Sequence, residues 1–427
     1  MLKKVSLSAL LIPLSSLLIH AQYQSRQEYL EAYRNGKTIN AITTAVPFLI
    51  VAPDARAGGM GDCGVSTEAD ANSMHWNLAK APFAQRRTSI SLTYSPWLRN
   101  LVPDINMAYL AFYQKLGKND RAALLGSLRY FNLGNIQFFD IFGTPIGNYT
   151  PNEFAIDAGY SMKLIDNLSM GVAFRFIYSN LTLGIPVAGA ATFPGKAGAG
   201  DIGLYYQNEN WSIAKRPIIF RFGTAFTNLG SKIRYSQGSR ADFIPMNFRL
   251  GTSLQMKLDD FNSLLWAVEA NKLLVPTPAV YLTDSAGGGP VINPDGSKVI
   301  IAGRDPNRGV LDGIFTSFFD APGGLREELH EVMLSTGLEY WYSDIFSARL
   351  GYFNEAKQKG NRRFVTLGFG VRYSAFGLDV SYLVPIVQRH PLESTLRFSL
   401  LFTFDSLNPK TEKTKSNPLP GRRKKNE

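Results

Sequence analysis

The chain has 427 residues, of which 45% are hydrophobic and 12% aromatic, and its formal net charge is +11. This length could hold two or three soluble domains or one large barrel, and a mean hydropathy of −0.07 does not exclude a membrane barrel, because barrel strands hide their apolar residues by alternation. The positive charge does not indicate nucleic-acid binding, since part of it lies in an N-terminal export signal and in a basic C-terminal tail.

Residues 1–21 have the pattern of a secretory signal peptide. Lys3 and Lys4 form the positive region, residues 5–19 the apolar core, and Ala21 is a small residue before the expected cleavage site. A transmembrane anchor is the alternative, but the apolar core is short and interrupted by Pro13. Because no later window approaches about 20 apolar residues, we expect an exported protein that can enter a membrane only as a barrel. The single cysteine, Cys63, then forms no disulfide within the fold.

Residues 22–87 form an N-terminal extension that is polar at first and then rich in Gly and Ala. Gly59–Gly64 match the pattern G-x-G-x-x-G, and residues 48–51 before them could be mistaken for a strand. A dinucleotide site would also need a βαβ unit and an acidic residue about 20 positions later, and neither follows. We expect these glycines to let the backbone pack closely in a confined space.

From Thr88 onward, fourteen stretches alternate apolar and polar residues. In the last of them, Leu396, Phe398 and Leu400 alternate with Arg397 and Ser399. Side chains of a strand alternate between faces, so this pattern predicts a sheet with one apolar and one polar face. Its repetition in stretches of about ten residues predicts an all-β protein, a 14-stranded antiparallel transmembrane β-barrel over residues 88–404. The predicted strands are 88–96, 104–115, 120–131, 153–164, 167–178, 200–208, 217–228, 244–258, 262–273, 332–342, 345–354, 362–374, 376–384 and 394–404.

The connections between these strands alternate between short and long. Those after even-numbered strands are short, whereas those after strands 3, 5 and 9 span residues 132–152, 179–199 and 274–331. This parity is expected of a meander with tight periplasmic turns and long exterior loops, and the even strand number predicts that both termini are periplasmic. Loops as long as 274–331 are usually functional or disordered. Within it, residues 325–332 are predicted to form one or two helical turns.

The inward faces of the predicted strands carry a set of charged side chains. Buried charges are tolerated only when they are paired or hydrated. We expect these to pair across the lumen and hold a plug in place; a charged path for a solute is the alternative. The set comprises Asp157, Arg175, Arg221, Arg249, Glu269, Glu339, Arg349, Arg372, Asp379 and Arg397.

Catalysis has little support in the sequence. The four histidines, His20, His75, His330 and His390, are scattered, no G-x-S-x-G is present, and no His, Cys or carboxylate cluster has metal-ligand spacing. We expect no enzyme activity, no cofactor and no metal. Residues 405–427 form a basic, proline-containing tail that we expect to be disordered.

The stretch before the first strand resembles the PorV family of the Bacteroidetes type IX secretion system, which is related in fold to the FadL transporters. The resemblance is carried by residues 40–49 (NAITTAVPFL), 53–62 (PDARAGGMGD) and 73–77 (SMHWN), and the barrel order covers most of the remaining chain. FadL-like proteins typically follow that Asn with Pro-Ala, whereas Leu78 and Ala79 stand here. PorQ is a shorter relative in the same system, and the chain length and the long ninth connection favour PorV.

The resemblance implies a FadL-like barrel in the cell outer membrane with an N-terminal hatch in its lumen. The hatch residues would include Gly58, Gly59, Gly61, Trp76 and Asn77. It also implies a non-enzymatic shuttle that binds the C-terminal signal domain of translocated cargo at the cell surface and delivers it to the attachment complex. Its partners would be secreted cargo proteins with type IX signal domains, the large outer-membrane translocon subunit, a PorU-type sortase and outer-membrane lipid. Uptake of hydrophobic small molecules through a FadL-like channel is the alternative function.

The long exterior connections carry the candidate cargo-binding residues. Exposed aromatic and apolar side chains suit a protein contact better than a solvated loop. The alternative is that these side chains pack on one another or lie at the lipid interface. They are Phe138, Phe139, Ile141 and Phe142 in the connection 132–152, and Phe315, Phe318 and Phe319 in the connection 274–331.

Overall fold

The computed structural model describes residues 23, 25–98, 102, 104–139, 142–186, 190–213, 216–284, 289–387 and 395–404; the predicted signal peptide and tail lie outside them. Within these residues, fourteen antiparallel strands close into one barrel, with neighbours in chain order and β1 paired with β14. The predicted barrel is therefore confirmed. Its strands are β1 (Thr88–Pro96), β2 (Asn106–Leu116), β3 (Ala122–Asn132), β4 (Asn152–Ile165), β5 (Leu168–Asn180), β6 (Gly195–Ile213), β7 (Arg216–Gly230), β8 (Asn247–Lys257), β9 (Asn262–Leu273), β10 (Met333–Tyr342), β11 (Phe346–Asn354), β12 (Arg363–Tyr373), β13 (Phe376–Pro385) and β14 (Thr395–Phe404).

The alternation of apolar and polar residues in the sequence corresponds to the alternation of outward-facing and lumen-facing side chains in the barrel wall. In β14, Phe398 and Leu400 are exposed on the outside, whereas Arg397 and Ser399 are buried in the lumen. Leu92 of β1 lies directly opposite Leu400 across the closing seam and is also exposed. Because every backbone polar group is paired within a closed barrel, an apolar outer wall of this kind is stable in a bilayer.

The two ends of the barrel differ in their connections. At one end, called the turn end, the connections are 117–121, 166–167, 214–215, 258–261, 343–345 and 374–375. At the other, called the loop end, the connections include 133–151, 181–194 and 274–332. The predicted strand 200–208 was too short. In the structure β6 extends further at both ends and remains paired with β5 and β7. Its first residues are Gly and Ala and its last are mostly polar, so neither end shows the apolar–polar alternation.

The loop-end connections carry their own secondary structure. A hairpin of Ile136–Phe139 and Pro145–Tyr149 lies between β3 and β4, and a second pair, Val280–Tyr281 with Ile300–Ala302, lies between β9 and β10. The helices in chain order are α1 (Arg26–Arg34), α2 (Ala55–Gly58), α3 (Ser73–Trp76), α4 (Val310–Thr316) and α5 (Leu325–His330). Helix α5 confirms the helical turns predicted for residues 325–332.

Residues 46–84, called the plug, lie inside the barrel. The Ala55 amide donates to Ser399 Oγ of β14 at 2.9 Å, and Ser253 Oγ of β8 donates to the Ser66 carbonyl at 2.7 Å. Arg129 of β3 donates to the Phe48 carbonyl at 2.9 Å. The plug therefore contacts strands far apart around the wall. Residues 47–50 are a 3-10 turn rather than a strand.

The prediction that both termini are periplasmic stays a prediction, because residues 1–22 and 405–427 lie outside the described residues. Tyr29 in α1 bonds to Glu327 in the connection between β9 and β10, so α1 lies at the loop end. The last strand ends at Phe404, opposite Thr88, at the turn end. The plug therefore crosses the lumen once between α1 and β1, a passage that the strand parity does not count.

Candidate functional site

A chain of ion pairs fixes the plug to the wall. Arg56 of the plug makes a bidentate contact with Glu339 of β10, at 2.9 Å from Nε and 2.8 Å from Nη2. Arg349 of β11 donates to the same carboxylate at 2.7 Å and to Asp379 of β13 at 2.9 Å. Arg372 of β12 completes the chain on Asp379 at 2.7 Å. Each buried charge thus has an opposite charge within hydrogen-bond distance, the condition under which burial is tolerated.

A second anchor lies on β9. Glu269 accepts hydrogen bonds from the Gly64 and Val65 amides at 2.7 and 2.9 Å, and it pairs with Arg249 of β8 at 3.3 Å. The Arg249 guanidinium lies over the Trp76 ring, 4.7 Å from its centroid. The carboxylate and its arginine therefore hold backbone and side chain of the plug together.

The predicted hatch residues all lie in the buried part of the plug. Gly61 has a φ of +69°, and a Cβ atom there would lie 2.6 Å from the Tyr352 backbone nitrogen. Trp76 donates to Asp54 at 2.6 Å, while Asn77 donates to the Leu204 carbonyl at 2.9 Å. Gly58 and Gly59 also face the wall, where a Cβ atom would meet Arg397 and Gly368. At Gly61, where both the positive φ and the backbone of β11 oppose a Cβ atom, only glycine fits without strain.

The other predicted lumen charges do not join the ion pairs around Glu339 and Glu269, and of them Arg397 alone pairs with a described plug residue. Arg175 pairs with Asp157 at 2.6 Å and with Asp201 at 3.0 Å, all on the wall. Among the described residues, Arg221 has no carboxylate within 4.0 Å and donates instead to Gln207 and Gln255. Arg397 lies 3.8 Å from Asp62 of the plug. The ten residues therefore form separate groups rather than one network.

Several plug contacts come from residues that sequence reasoning missed. Arg56 and Asp54 lie within the Gly- and Ala-rich stretch, and Arg129 lies on the inward face of β3. Arg129 also contacts His75 Nδ1 at 2.6 Å. Arg129 could have been found by the same alternation that identified Arg175, since the buried positions of β3 alternate with exposed ones.

At the loop end, a buried polar cluster ties α1 to two connections. The Tyr29 hydroxyl donates to Glu327 at 2.9 Å, and Asn40 donates to the other oxygen of this carboxylate at 2.9 Å. Lys359, in the connection between β11 and β12, bonds to Glu327 at 2.7 Å and to Glu331 at 2.8 Å. Burial and the Glu327 carboxylate raise the pKa of the Tyr29 hydroxyl, which therefore remains a donor. We call these five residues the loop-end cluster.

Lysine contacts also set the protonation of this cluster. Burial opposes ionisation of Glu331, but Lys359 and Lys272 outweigh it and lower the pKa of the carboxyl below its usual value. Lys272 bonds to Glu331 at 2.5 Å and to Glu328 at 3.2 Å. Both acidic residues of α5, Glu327 and Glu328, are consequently turned toward the protein and buried.

The apolar residues of α5 point the other way. Leu325 and Leu329 are 76% and 64% exposed, the reverse of a solvated surface helix, whose charged face is in water. Leu311 and Phe315 of α4, four residues apart, are exposed by 71% and 72%. The exposed apolar side chains of α4, of α5 and of the segment between them form what we call the α4–α5 surface. It consists of Leu311, Phe315, Phe318, Phe319, Leu325 and Leu329.

The predicted cargo-binding residues divide between two places. Phe315, Phe318 and Phe319 belong to the α4–α5 surface, whereas Phe138, Phe139 and Phe142 belong to the hairpin after β3. In that hairpin Phe142 is 85% exposed, while Phe138 packs edge-on against Tyr149, with ring centroids 5.3 Å apart. Phe139 is exposed, and Ile141 lies outside the described residues. Leu311, Leu325 and Leu329 were not predicted, although the spacing of four residues between Leu325 and Leu329 was visible in the sequence.

A cavity of about 450 Å³ lies between the plug and the loop end. Its lining is largely apolar, including Ile50, Trp76, Trp97 and Phe353, but it also contains charged residues: Asp62, Arg249, Arg362 and Arg397.

Two kinds of feature are absent from the part of the chain that the structure describes. It contains no group of three or more His, Cys, Asp and Glu residues placed to hold a metal ion. No helix there is both long and apolar enough to cross a membrane. Cys63, in the plug, is free and buried.

Comparisons with known proteins place the chain in a family. The family model described as "Type IX secretion system protein PorV" matches residues 34–280, more than half of the chain. No curated protein matches the sequence.

Solved structures similar to the chain include hydrocarbon channels. One is a TodX mutant monoaromatic hydrocarbon channel, with 12% identity over 83% of this chain and 99% of that one, at a TM-score of 0.48. The Pseudomonas putida toluene transporter TodX shares 11% identity over 86% and 100% of the two chains, at a TM-score of 0.44. A FadL homologue from Pseudomonas aeruginosa shares 12% identity over 86% and 100%, at a TM-score of 0.39.

Proposed function

The chain belongs to the PorV family of type IX secretion system proteins, and from that membership we propose that it is a non-enzymatic outer-membrane shuttle for secreted proteins. On this proposal it binds the C-terminal signal domain of translocated cargo at the loop end of the barrel. It then delivers the cargo to the attachment complex. Its partners are the cargo proteins, the large translocon subunit and a PorU-type sortase.

The observation that carries the proposal is the reversed orientation of α5. Its two glutamates are buried and its two leucines are exposed, whereas a solvated surface helix would bury the leucines and expose the glutamates. Exposed apolar surface of this kind is typical of a protein or membrane contact. The contacts of Glu327 within the loop-end cluster hold α5 in this orientation, with its leucines facing outward.

The plug supports a binding surface rather than a wide pore. It is bonded to β10 through Arg56 and to β9 through Gly64, so opening the lumen would break a buried ion pair and several hydrogen bonds. A shuttle needs the barrel only as a fixed support in the membrane.

A pull-down from detergent-solubilised outer membrane tests the proposal. The tagged protein should recover secreted proteins that carry a type IX signal domain. Deleting residues 310–330 should abolish this recovery while the barrel still shows the heat-dependent gel shift of a folded barrel. Normal secretion in a strain that lacks the protein, together with loss of uptake of a hydrophobic compound, would overturn the shuttle.

Uptake of hydrophobic small molecules is the second candidate, and the cavity of about 450 Å³ favours it. Its volume lies within the range of small-molecule pockets, and its lining is largely apolar. Transport of a radiolabelled aromatic hydrocarbon into liposomes that contain the purified barrel would support this function; uptake no faster than into empty liposomes would exclude it.

A further inference from the structure

A basic depression lies on the barrel rim at the loop end, beside the segment that leads into α4. Its volume is about 670 Å³, and its lining includes Lys196, Lys232, Arg234, Tyr178 and Phe193. We call the three cationic residues the rim cluster. None of the proposed functions above uses them.

The depression opens on the lipid-facing side of the wall. Tyr178 of β5 lies directly opposite Lys196 of β6, and on β5 it shares its face with Phe174 and Phe176. Phe174 is 62% exposed and Phe176 is also exposed, which places this face outside. Lys196 therefore lies at the loop-end margin of the apolar wall, where lipid headgroups contact a barrel.

Two outward positions of β6 next to Lys196 lack side chains. The next two outward positions on β6 are Gly198 and Gly200, which lie opposite Phe176 and Phe174. A Cβ atom at Gly198 would make only van der Waals contact with the Phe174 ring, at 3.6 Å. The result is a short shallow strip without Cβ atoms, bordered by the rings of Phe174 and Phe176, against which part of an acyl chain can lie.

The cations of the rim cluster make no direct ion pair with a described carboxylate, although Asp242 and Asp305 lie near Lys232. Among the described residues, none of the three has an ion pair within 4.0 Å; Lys232 donates to the Arg308 carbonyl at 2.7 Å and lies over the Phe243 ring at 4.1 Å. Burial and Arg240 lower the pKa of Lys232, although Asp242 and Asp305 act against them. A group of cations in this state gains from an external anion.

We propose that the rim cluster binds the phosphate-bearing headgroup of an outer-leaflet lipid, whose acyl chain lies along the strip formed by Gly198 and Gly200. Charge-assisted hydrogen bonds from Lys and Arg to phosphate are strong, and juxtamembrane basic residues are attracted to anionic headgroups. The apolar strip continuing directly into the lipid-facing wall favours a lipid over a soluble protein as the occupant.

Native mass spectrometry of the delipidated full-length barrel tests this site, with diphosphoryl lipid A as the probe. The double variant Lys196→Gln/Arg234→Gln should bind it at least tenfold more weakly. The control Lys257→Gln, an exposed cation at the turn end, should bind like the parent. Gly198→Leu, which fills the strip and leaves the cations intact, should also weaken binding.

Three results would overturn the proposal. One is equal affinity of the parent and the double variant, with both folded by the heat-dependent gel shift. Another is equal affinity for lipid A whose phosphates have been removed. The third is unchanged lipid binding together with loss of the translocon subunit from pull-downs with the double variant, which would assign the rim cluster to a protein partner.

Discussion

Removing Glu339 should release the plug from the wall. In the variant Glu339→Ala, Arg56 loses two hydrogen bonds at 2.9 and 2.8 Å, and Arg349 loses one at 2.7 Å. Both arginines are buried, so each is left with fewer compensating charges. Breaking a buried pair by removing one partner costs about 3–5 kcal/mol. Arg56 keeps Asp70 at 3.3 Å, so we expect the lower end of that range.

A cost of about 3 kcal/mol raises the population of the released plug about a hundredfold, since about 1.4 kcal/mol corresponds to a factor of ten. Cys63 reports on that population, because it is the only cysteine, lies in the plug and is buried. The rate at which a maleimide labels it in the folded barrel should rise by about the same factor in Glu339→Ala.

The matched control is Asp157→Ala. Asp157 is as buried as Glu339 and pairs with Arg175 at 2.6 Å, but its partners lie on the wall rather than in the plug. This variant should lower the temperature of the gel shift without accelerating the labelling of Cys63. Equal labelling rates in the two variants would refute the argument that Glu339 anchors the plug.

Two further predictions concern the close packing of the plug and the pH response of the loop end. Gly61→Ala should lower the yield of folded barrel, because its Cβ atom would lie 2.6 Å from the backbone of β11, whereas Gly36→Ala, with a similar φ of +68° and open space, should fold like the parent; equal yields would show that the close approach is not required. Because the pKa of Glu331 is lowered in the folded protein, its ion pairs stabilise the loop end above the ordinary Glu pKa and are lost only as the pH falls through the lowered value. Pepsin should therefore cleave near α1 only in strong acid, and Lys359→Met should move that cleavage to higher pH; cleavage at the same pH in both proteins would contradict the assignment.

The barrel was predictable because it depends on a local pattern. In strands such as β14 the alternation of residue types follows the alternation of burial. Both ends of β6 were left out of the predicted strand, because their Gly, Ala and polar residues show no such alternation. The position of α1 at the loop end was not predicted, because the plug passage that separates α1 from β1 has no periodic pattern. The number of strands alone does not reveal this passage.

The site was less predictable because its contacts are non-local. Tyr29 and Glu327 are 298 positions apart, and nothing near either residue specifies the other. The inward charges could be identified by alternation, but the partner of each depends on register: Glu339 lies opposite Arg349, and Arg56 reaches it from the plug. The exposure of Leu325 and Leu329 follows from the burial of Glu327 and Glu328, which requires lysines from β9 and from the connection after β11.

The affinity of a purified cargo signal domain for the full-length barrel tests the central claim most directly. Burying a leucine side chain contributes about 1.5–3 kcal/mol, so Leu325→Ser/Leu329→Ser should weaken binding by at least a hundredfold if both leucines lie in the interface. Ile292→Ser, which removes another exposed apolar residue from the same connection, should bind like the parent. Unchanged affinity of the double leucine variant, with the barrel folded, would contradict cargo binding at the α4–α5 surface.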